Sequence, residues 1–383
     1  MLDVNNRMLY GVTAREGMQC PSGCRFSHEF LIDLAQRQCE IGVYRQELGS
    51  PAAHPVIAQS ISEVADSLSG IERWVHVRCN NGDIKYVPEN VDGVGLYFGT
   101  SPAHQQHNHR KRIEDIINYA RDAIDTLEEM GYQVRFTAED ATRTQYDTLL
   151  RIYQELEQST DVNLFGVADT VGTAMPNEIF SVIAHLKSEL ETPLQFHGHN
   201  DRGFADINGL YSLIAGAESV QVSAGGIGER NGITSISGLL INLLEGDMTK
   251  INNLFRIEDV EQLELFVLNE LEIPRNYRSP IASHVSVDMA GVHQNGSGNN
   301  IGVYHAIDLT QFGYRHTSPV NHPLTGHHNV ARVCEEQEIP VDHNDLRGLT
   351  NAIKEYTFRQ TRDDPVRSEE DVVSFIRELA STQ

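Results

Sequence analysis

Apolar residues alternate between two rhythms along this chain. Short runs rich in β-branched, aromatic and leucine side chains predict strands. They are "MLYGVTA" (8–14), "IGVYRQEL" (41–48), "RWVHVRC" (73–79), "GVGLYFGT" (93–100), "YQVRFTAE" (132–139), "VNLFGVAD" (162–169), "PLQFHGHN" (193–200) and "SVQVSAGG" (219–226). Between them lie segments such as "HEFLIDLAQRQCE", "KRIEDIINYARDAIDTLEEMG" and "TQYDTLLRIYQELEQS", with apolar positions at i, i+3 and i+4, the spacing of one helix face. Gly131 and Pro176 stand where a helix end and a helix start are expected. Eight such alternations predict a closed (β/α)8 barrel, the TIM-barrel architecture. An open doubly wound sheet is the alternative, and the evenness of the units favours closure. Past residue 250 the alternation stops and amphipathic helices with glycine- and asparagine-rich loops follow. The expected organisation is therefore a catalytic barrel over 1–250 and a mainly helical C-terminal region over 251–383.

Within the seventh run, "FHGHND" places His197 and His199 one residue apart. Strand side chains at i and i+2 share a face, so both imidazoles aim at one point, at the C-terminal end of a barrel strand. Active sites of such barrels lie on that face. Polar residues ending the other runs become candidates by position: Arg15, Glu16, Glu47, Asn80, Thr100, Ser101, Glu139 and Thr170. Glu16 with the two histidines makes a mixed oxygen–nitrogen set of three ligands with open positions. Such a set suits a catalytic Zn, Mn, Fe or similar divalent ion. That ion can polarise a ketone, and the planar guanidinium of Arg15 can meet the developing alkoxide.

Composition narrows the partners. The 383 residues carry a formal net charge of −24, which opposes nucleic acid and anionic membrane surfaces. No long apolar span and no basic-then-apolar leader is read, and five cysteines without framework spacing fit reduced thiols. Together these predict a cytoplasmic enzyme. Cys20 and Cys24 lack the second pair that a zinc finger needs. The loop histidines His104, His107 and His109 are expected to be solvated, and "GGIGER" (225–230) lacks the full dinucleotide-binding spacing.

Five segments in order carry a resemblance: "TAREGMQ" (13–19), "VRFTAEDATR" (134–143), "GVADTVGTAMP" (166–176), "FHGHND" (196–201) and "GIGERNGIT" (226–234). Together they resemble the homocitrate synthase and isopropylmalate synthase family, and more closely the homocitrate synthases. The resemblance implies a metal-dependent Claisen-type condensation of acetyl-CoA with a 2-oxo acid bearing a second anionic group, followed by thioester hydrolysis. It implies Glu16, His197 and His199 as ligands of a divalent metal (Zn, Mn, Mg, Fe or Co), and Arg15 as the oxyanion donor with Gln19 in the same loop. Arg135, Thr137 and Thr170 would grip substrate carboxylates, and Glu139 would lie near the reacting carbons. It further implies a homodimer in which "AGVHQNG…VYH" supplies His293 and Tyr304 to the partner's barrel. Asn80 and Met18 depart from the family pattern, where histidine and glutamate are usual. 2-Oxoglutarate thus ranks first, with oxaloacetate, phosphonopyruvate and phosphinopyruvate as alternatives, the latter two giving phosphonomethylmalate or phosphinomethylmalate. An acyl-CoA lyase would be expected to carry a cysteine in the loop "SAGGIGERNG", which has none. A non-catalytic relative would not need this complete set of residues.

Overall fold

The structure is a computed structural model that describes residues 5–243, 248–276, 279–281, 283–342, 345–359 and 368–381. The start of the segment read for a leader, 1–4, and the ends of one expected helix, 343–344 and 360–361, lie outside the described residues. Contacts divide the chain into two units, Met1–Pro280 and Ile281–Gln383, so the first extends beyond the border expected at 250.

Eight parallel strands close on themselves in sequence order in the first unit. They are β1 (Leu9–Gly11), β2 (Arg45–Glu47), β3 (Glu72–Arg78), β4 (Gly93–Gly99), β5 (Gln133–Glu139), β6 (Leu164–Asp169), β7 (Leu194–Gly198) and β8 (Ser219–Val222). Closure pairs β1 with β8, Tyr10 lying opposite Gln221. Helices follow the strands: α1 (Thr13–Gln19), α2 (His28–Glu40), α3 (Pro55–Asp66), α4 (Asn81–Ile84), α5 (Ile113–Glu129), α6 (Tyr146–Ser159), α7 (Pro176–Glu189), α8 (Ala205–Ile214), α9 (Ile236–Leu243), α10 (Met248–Leu254) and α11 (Val260–Glu270). Local chemistry sets their ends. The Ser27 hydroxyl accepts from the Phe30 N–H at 3.1 Å to cap α2, and Pro55 and Pro176 occupy first turns where their missing N–H costs nothing. Gly131 takes φ +89° just past α5, a backbone state that other residues adopt at a cost.

One expected element changes character. "MLYGVTA" is strand only through Gly11, and the chain turns into α1 from Thr13. Arg15 and Glu16 therefore sit on a short buried helix at the strand's exit rather than on the strand itself. The barrel interior is filled at one level by Tyr10 and Trp74, edge to face at 5.9 Å. The Arg135 guanidinium lies 5.2 Å from the Tyr10 ring centroid.

The second unit is helical: α12 (Gly291–Asn299), α13 (His327–Glu336), α14 (Leu346–Phe358) and α15 (Glu369–Ser381). Val330, Val333, Ile353, Val372 and Ile376 form its apolar core. Three further segments among the described residues, including Ile301–Val303, are short 3-10 turns.

Candidate active site

At the carboxyl ends of the strands a cavity of about 260 Å³ gathers residues from α1 and seven strands or the loops after them. It is lined by Arg15, Glu16, Gln19, Arg135, Thr137, Glu139, Thr170, His197 and His199, all expected in the site. His76, Tyr97, Gln221 and Arg230 join them.

Glu16, His197 and His199 each offer one donor atom within 4.8 Å of the others, and all three are buried. The two imidazoles face each other, Nε2 to Nε2, at 3.2 Å, and Glu16 Oε1 lies 3.7 Å from His197 Nε2. His197 is the penultimate residue of β7, and His199 just beyond the strand is held by a bridge to Ile233. The buried Nδ1 atoms of both rings have no protein partner. Burial, with His199 alongside, pushes the His197 imidazolium down to about 3, and burial likewise lowers His199. Both rings are thus neutral ligands at ordinary pH. Burial would raise the Glu16 carboxyl, but Arg15, with Nη1 2.6 Å from Oε1, outweighs it and keeps the group ionised. A carboxylate and two neutral imidazoles around one point fit a divalent cation.

Behind this trio stands a buried charge network. Glu47, at the end of β2, takes a hydrogen bond from Arg15 Nε and one at 2.7 Å from Arg135 Nη2. Burial raises the Glu47 carboxyl, yet Arg135 and Arg15 hold it well below the usual carboxylate range. Arg135 is fully buried. It donates from Nε to Thr137 Oγ1 at 3.2 Å, from Nη1 to Gln195 Oε1 at 3.1 Å, and from Nη2 to Glu47 and to His76 Nδ1 at 3.1 Å. A guanidinium has five N–H donors, so one of Arg135's remains uncommitted to these four partners. Glycines make this packing possible. A side chain at Gly95 on β4 would collide with the Arg135 guanidinium, and one at Gly166 on β6 with Thr137.

His76 is the most deeply engaged of the lining residues that sequence reasoning missed. Its ring stacks on Tyr97 at 4.5 Å and 5°, and Arg135 donates to its Nδ1, which leaves Nε2 carrying the proton. Burial lowers its imidazolium to about 4 despite Glu47 at 3.6 Å. Its signal was faint: one histidine inside a strand, with no ligand at helical or strand spacing.

Glu139, ending β5, is raised by burial against the pull of His104, whose Nδ1 lies 3.5 Å away. His104, expected in a solvated loop, thus meets a site residue, because the chain after β4 folds into a π-helical turn over His104–Asn108. The Thr170 hydroxyl accepts from the Asp140 N–H at 2.8 Å. Asn80 is placed differently from the rest. Its side chain caps α4, accepting from the Asp83 N–H at 2.9 Å, and it lines an adjoining cavity of about 370 Å³ together with Tyr97 and Glu139. His293 and Tyr304 belong to the second unit, where their rings stack at 4.2 Å and 28°.

Residues 7–263 match the family model described as HMGL-like, and 284–361 match the one described as homocitrate synthase post-HMGL domain-like. The chain belongs to the HMGL-like family of barrels, whose members are metal-dependent. Within that family its relatives are condensing enzymes. It is 31% identical to the cytosolic homocitrate synthase isozyme of Saccharomyces cerevisiae, over 92% of this chain and 82% of that protein. It is 30% identical to the 2-isopropylmalate synthase of Methanocaldococcus jannaschii, over 77% of this chain and 57% of that protein. Among solved structures, the HMG-CoA lyase of Bacillus subtilis superposes with a TM-score of 0.63 at 17% identity. It covers 73% of this chain and 98% of that one, and at that identity the likeness concerns the fold. No helix among the described residues is long and apolar enough to cross a membrane.

Proposed function

We propose that this chain is an acyltransferase that condenses acetyl-CoA with a 2-oxo acid carrying a second anionic group, 2-oxoglutarate first, to give homocitrate and free CoA. The observation that carries the proposal is the convergence of Glu16, His197 and His199 beside Arg15 at the barrel mouth. Homocitrate synthases of Saccharomyces cerevisiae and Yarrowia lipolytica among its relatives support the substrate choice.

In this reading Glu16, His197 and His199 hold a divalent ion. The bound ion supplies Lewis acidity at the ketone and a fixed orientation for the 2-oxo acid. The oxygen–nitrogen donor set suits Zn, Mn, Fe or Co, with Mg less well matched to two imidazoles. Arg15 Nη2 makes a long 3.4 Å contact with Gln221 and is the donor available to the alkoxide. Thr137, Thr170, the spare proton of Arg135 and the Nε2–H of neutral His76 are the donors for carboxylates. Glu139, made more basic by burial, suits a proton-transfer role near the methyl group. The base takes a methyl proton from acetyl-CoA, the enolate carbon bonds to the ketone carbon, and the alkoxide oxygen takes a proton. Water then cleaves the thioester, leaving a carboxylate and CoA–SH. His293 and Tyr304, exposed in the single chain, suit a pair that completes the site of a partner subunit in a cytoplasmic homodimer.

Release of CoA from acetyl-CoA with 2-oxoglutarate, oxaloacetate, 2-oxoisovalerate and phosphonopyruvate tests the reading. Turnover with 2-oxoglutarate is expected. Turnover with 2-oxoisovalerate alone removes the distal-anion requirement, and no CoA release with any acid removes condensation altogether.

A further inference from the structure

Far along the chain from the barrel residues, a second carboxylate and two more imidazoles converge. Asp288 Oδ2 lies 3.2 Å from His305 Nε2 and 2.9 Å from His316 Nε2. One donor atom from each lies within 4.8 Å of the others. Asp288 is buried, and the two rings are partly buried and stand edge to face at 5.0 Å.

Backbone contacts within the second unit hold these three groups in place. Val287 and Thr317 form a parallel bridge. The Asp288 N–H donates to the Thr317 carbonyl at 3.0 Å, and the Thr317 N–H to the Ser286 carbonyl at 3.0 Å. This sets Asp288 beside His316. From α12, Gln294 Nε2 donates to the Asp288 carbonyl at 3.1 Å. His305 follows the turn Ile301–Val303, and its N–H donates to the Ile301 carbonyl at 3.1 Å.

Two imidazoles can satisfy a carboxylate simply by donating to it, and that is the competing arrangement. Two features point beyond it. Both rings present the same nitrogen to the same oxygen, and the spacings approach the edge of about 3.3 Å expected for a tetrahedron with bonds of about 2.0 Å. The donor set is also a mixed His–His–carboxylate one of the kind zinc takes.

We propose that Asp288, His305 and His316 bind a second divalent cation of zinc-like borderline character, with water completing its shell. The ion fastens the segments that flank His293 on α12 and Tyr304, the residue next to His305. The site stands independently of the reaction assigned to the barrel.

Elemental analysis of the full chain, stripped by chelator and re-equilibrated with zinc alone, tests this. The double variant His197→Ala/His199→Ala removes the barrel imidazoles and leaves the second group intact. It should retain about one zinc per chain. Adding Asp288→Asn or His316→Gln should abolish that zinc. Cobalt in the double variant should give the visible bands of a tetrahedral oxygen–nitrogen site, lost in the same further variants. A folded double variant free of zinc overturns the proposal, and so does zinc that survives both Asp288→Asn and His316→Gln. Should the double variant fail to fold, His197→Gln/His199→Gln takes its place under the same outcomes.

Discussion

The same three residue types meet twice in this molecule, and the two groups differ in how their charge is compensated. At the barrel mouth Glu16 already has a cation, Arg15 Nη1 at 2.6 Å, and its imidazoles face each other rather than the carboxylate. In the second unit both imidazoles point at Asp288 Oδ2, at 3.2 and 2.9 Å. A divalent ion entering the barrel group would meet a carboxylate whose charge is shared with arginine, which would leave more of its own charge for a substrate oxygen. An ion entering the second group would meet a carboxylate faced by two imidazoles rather than by a guanidinium, and be held more as a clamp. The lesson is that ligand identity alone does not separate a catalytic site from a fastening. The ion pairs of the carboxylate do.

Activity gives the largest contrast. His199→Ala should lower turnover by on the order of 10^3-fold, since Lewis-acid stabilisation is worth several kcal/mol, while circular dichroism shows the fold unchanged. Full activity in that variant would equate the two groups and remove the metal from the reaction. Next comes stability of the network behind the mouth. Glu47→Ala leaves Arg15 and Arg135 without their shared carboxylate and should cost about 3–5 kcal/mol in urea unfolding. A loss under about 1 kcal/mol would show that water or a neighbour replaces it.

Acid should act on the barrel through His76, whose folded value of about 4 lies below the ordinary 6.5. Above 6.5 both folded and unfolded forms are neutral and the contribution is complete. As pH falls from 6.5 to 4 the unfolded chain binds a proton that the folded one refuses, so stability declines through that window. His76→Phe should flatten this part of the profile of urea midpoint against pH, and an unchanged slope would assign the decline to other groups. The smallest effect is expected at the second group. Asp288→Asn keeps the shape but loses two charge-assisted hydrogen bonds, costing about 1–3 kcal/mol in the unfolding of the metal-free chain.

Hydrophobic rhythm carried the fold because burial on both strand faces leaves continuous apolar runs that punctuated helices separate. It also placed His197 and His199, since strand period and barrel polarity are general rules. It misjudged the setting of Arg15 and Glu16, because a seven-residue helix directly after a three-residue strand is too short to show its period. His76 escaped notice since its partners, Glu47 and Arg135, come from strands far away in sequence. Asp288, His305 and His316 lie in or beside irregular segments joined by one bridge and one turn, so no spacing rule reaches them. Asn80 satisfied a positional rule, and its side chain also starts α4, a role no positional rule foretells.

Closure of the barrel through β1 and β8 has a consequence for the newborn chain. Glu16 emerges from the ribosome early, His197 and His199 late, and the last strand later still. Until then the acid has only its neighbour Arg15 for company, and a passing cation finds no chelate to settle in. Bringing the trio together requires the first and seventh strands to share one ring, so capture of a divalent ion there would report that the ring has formed.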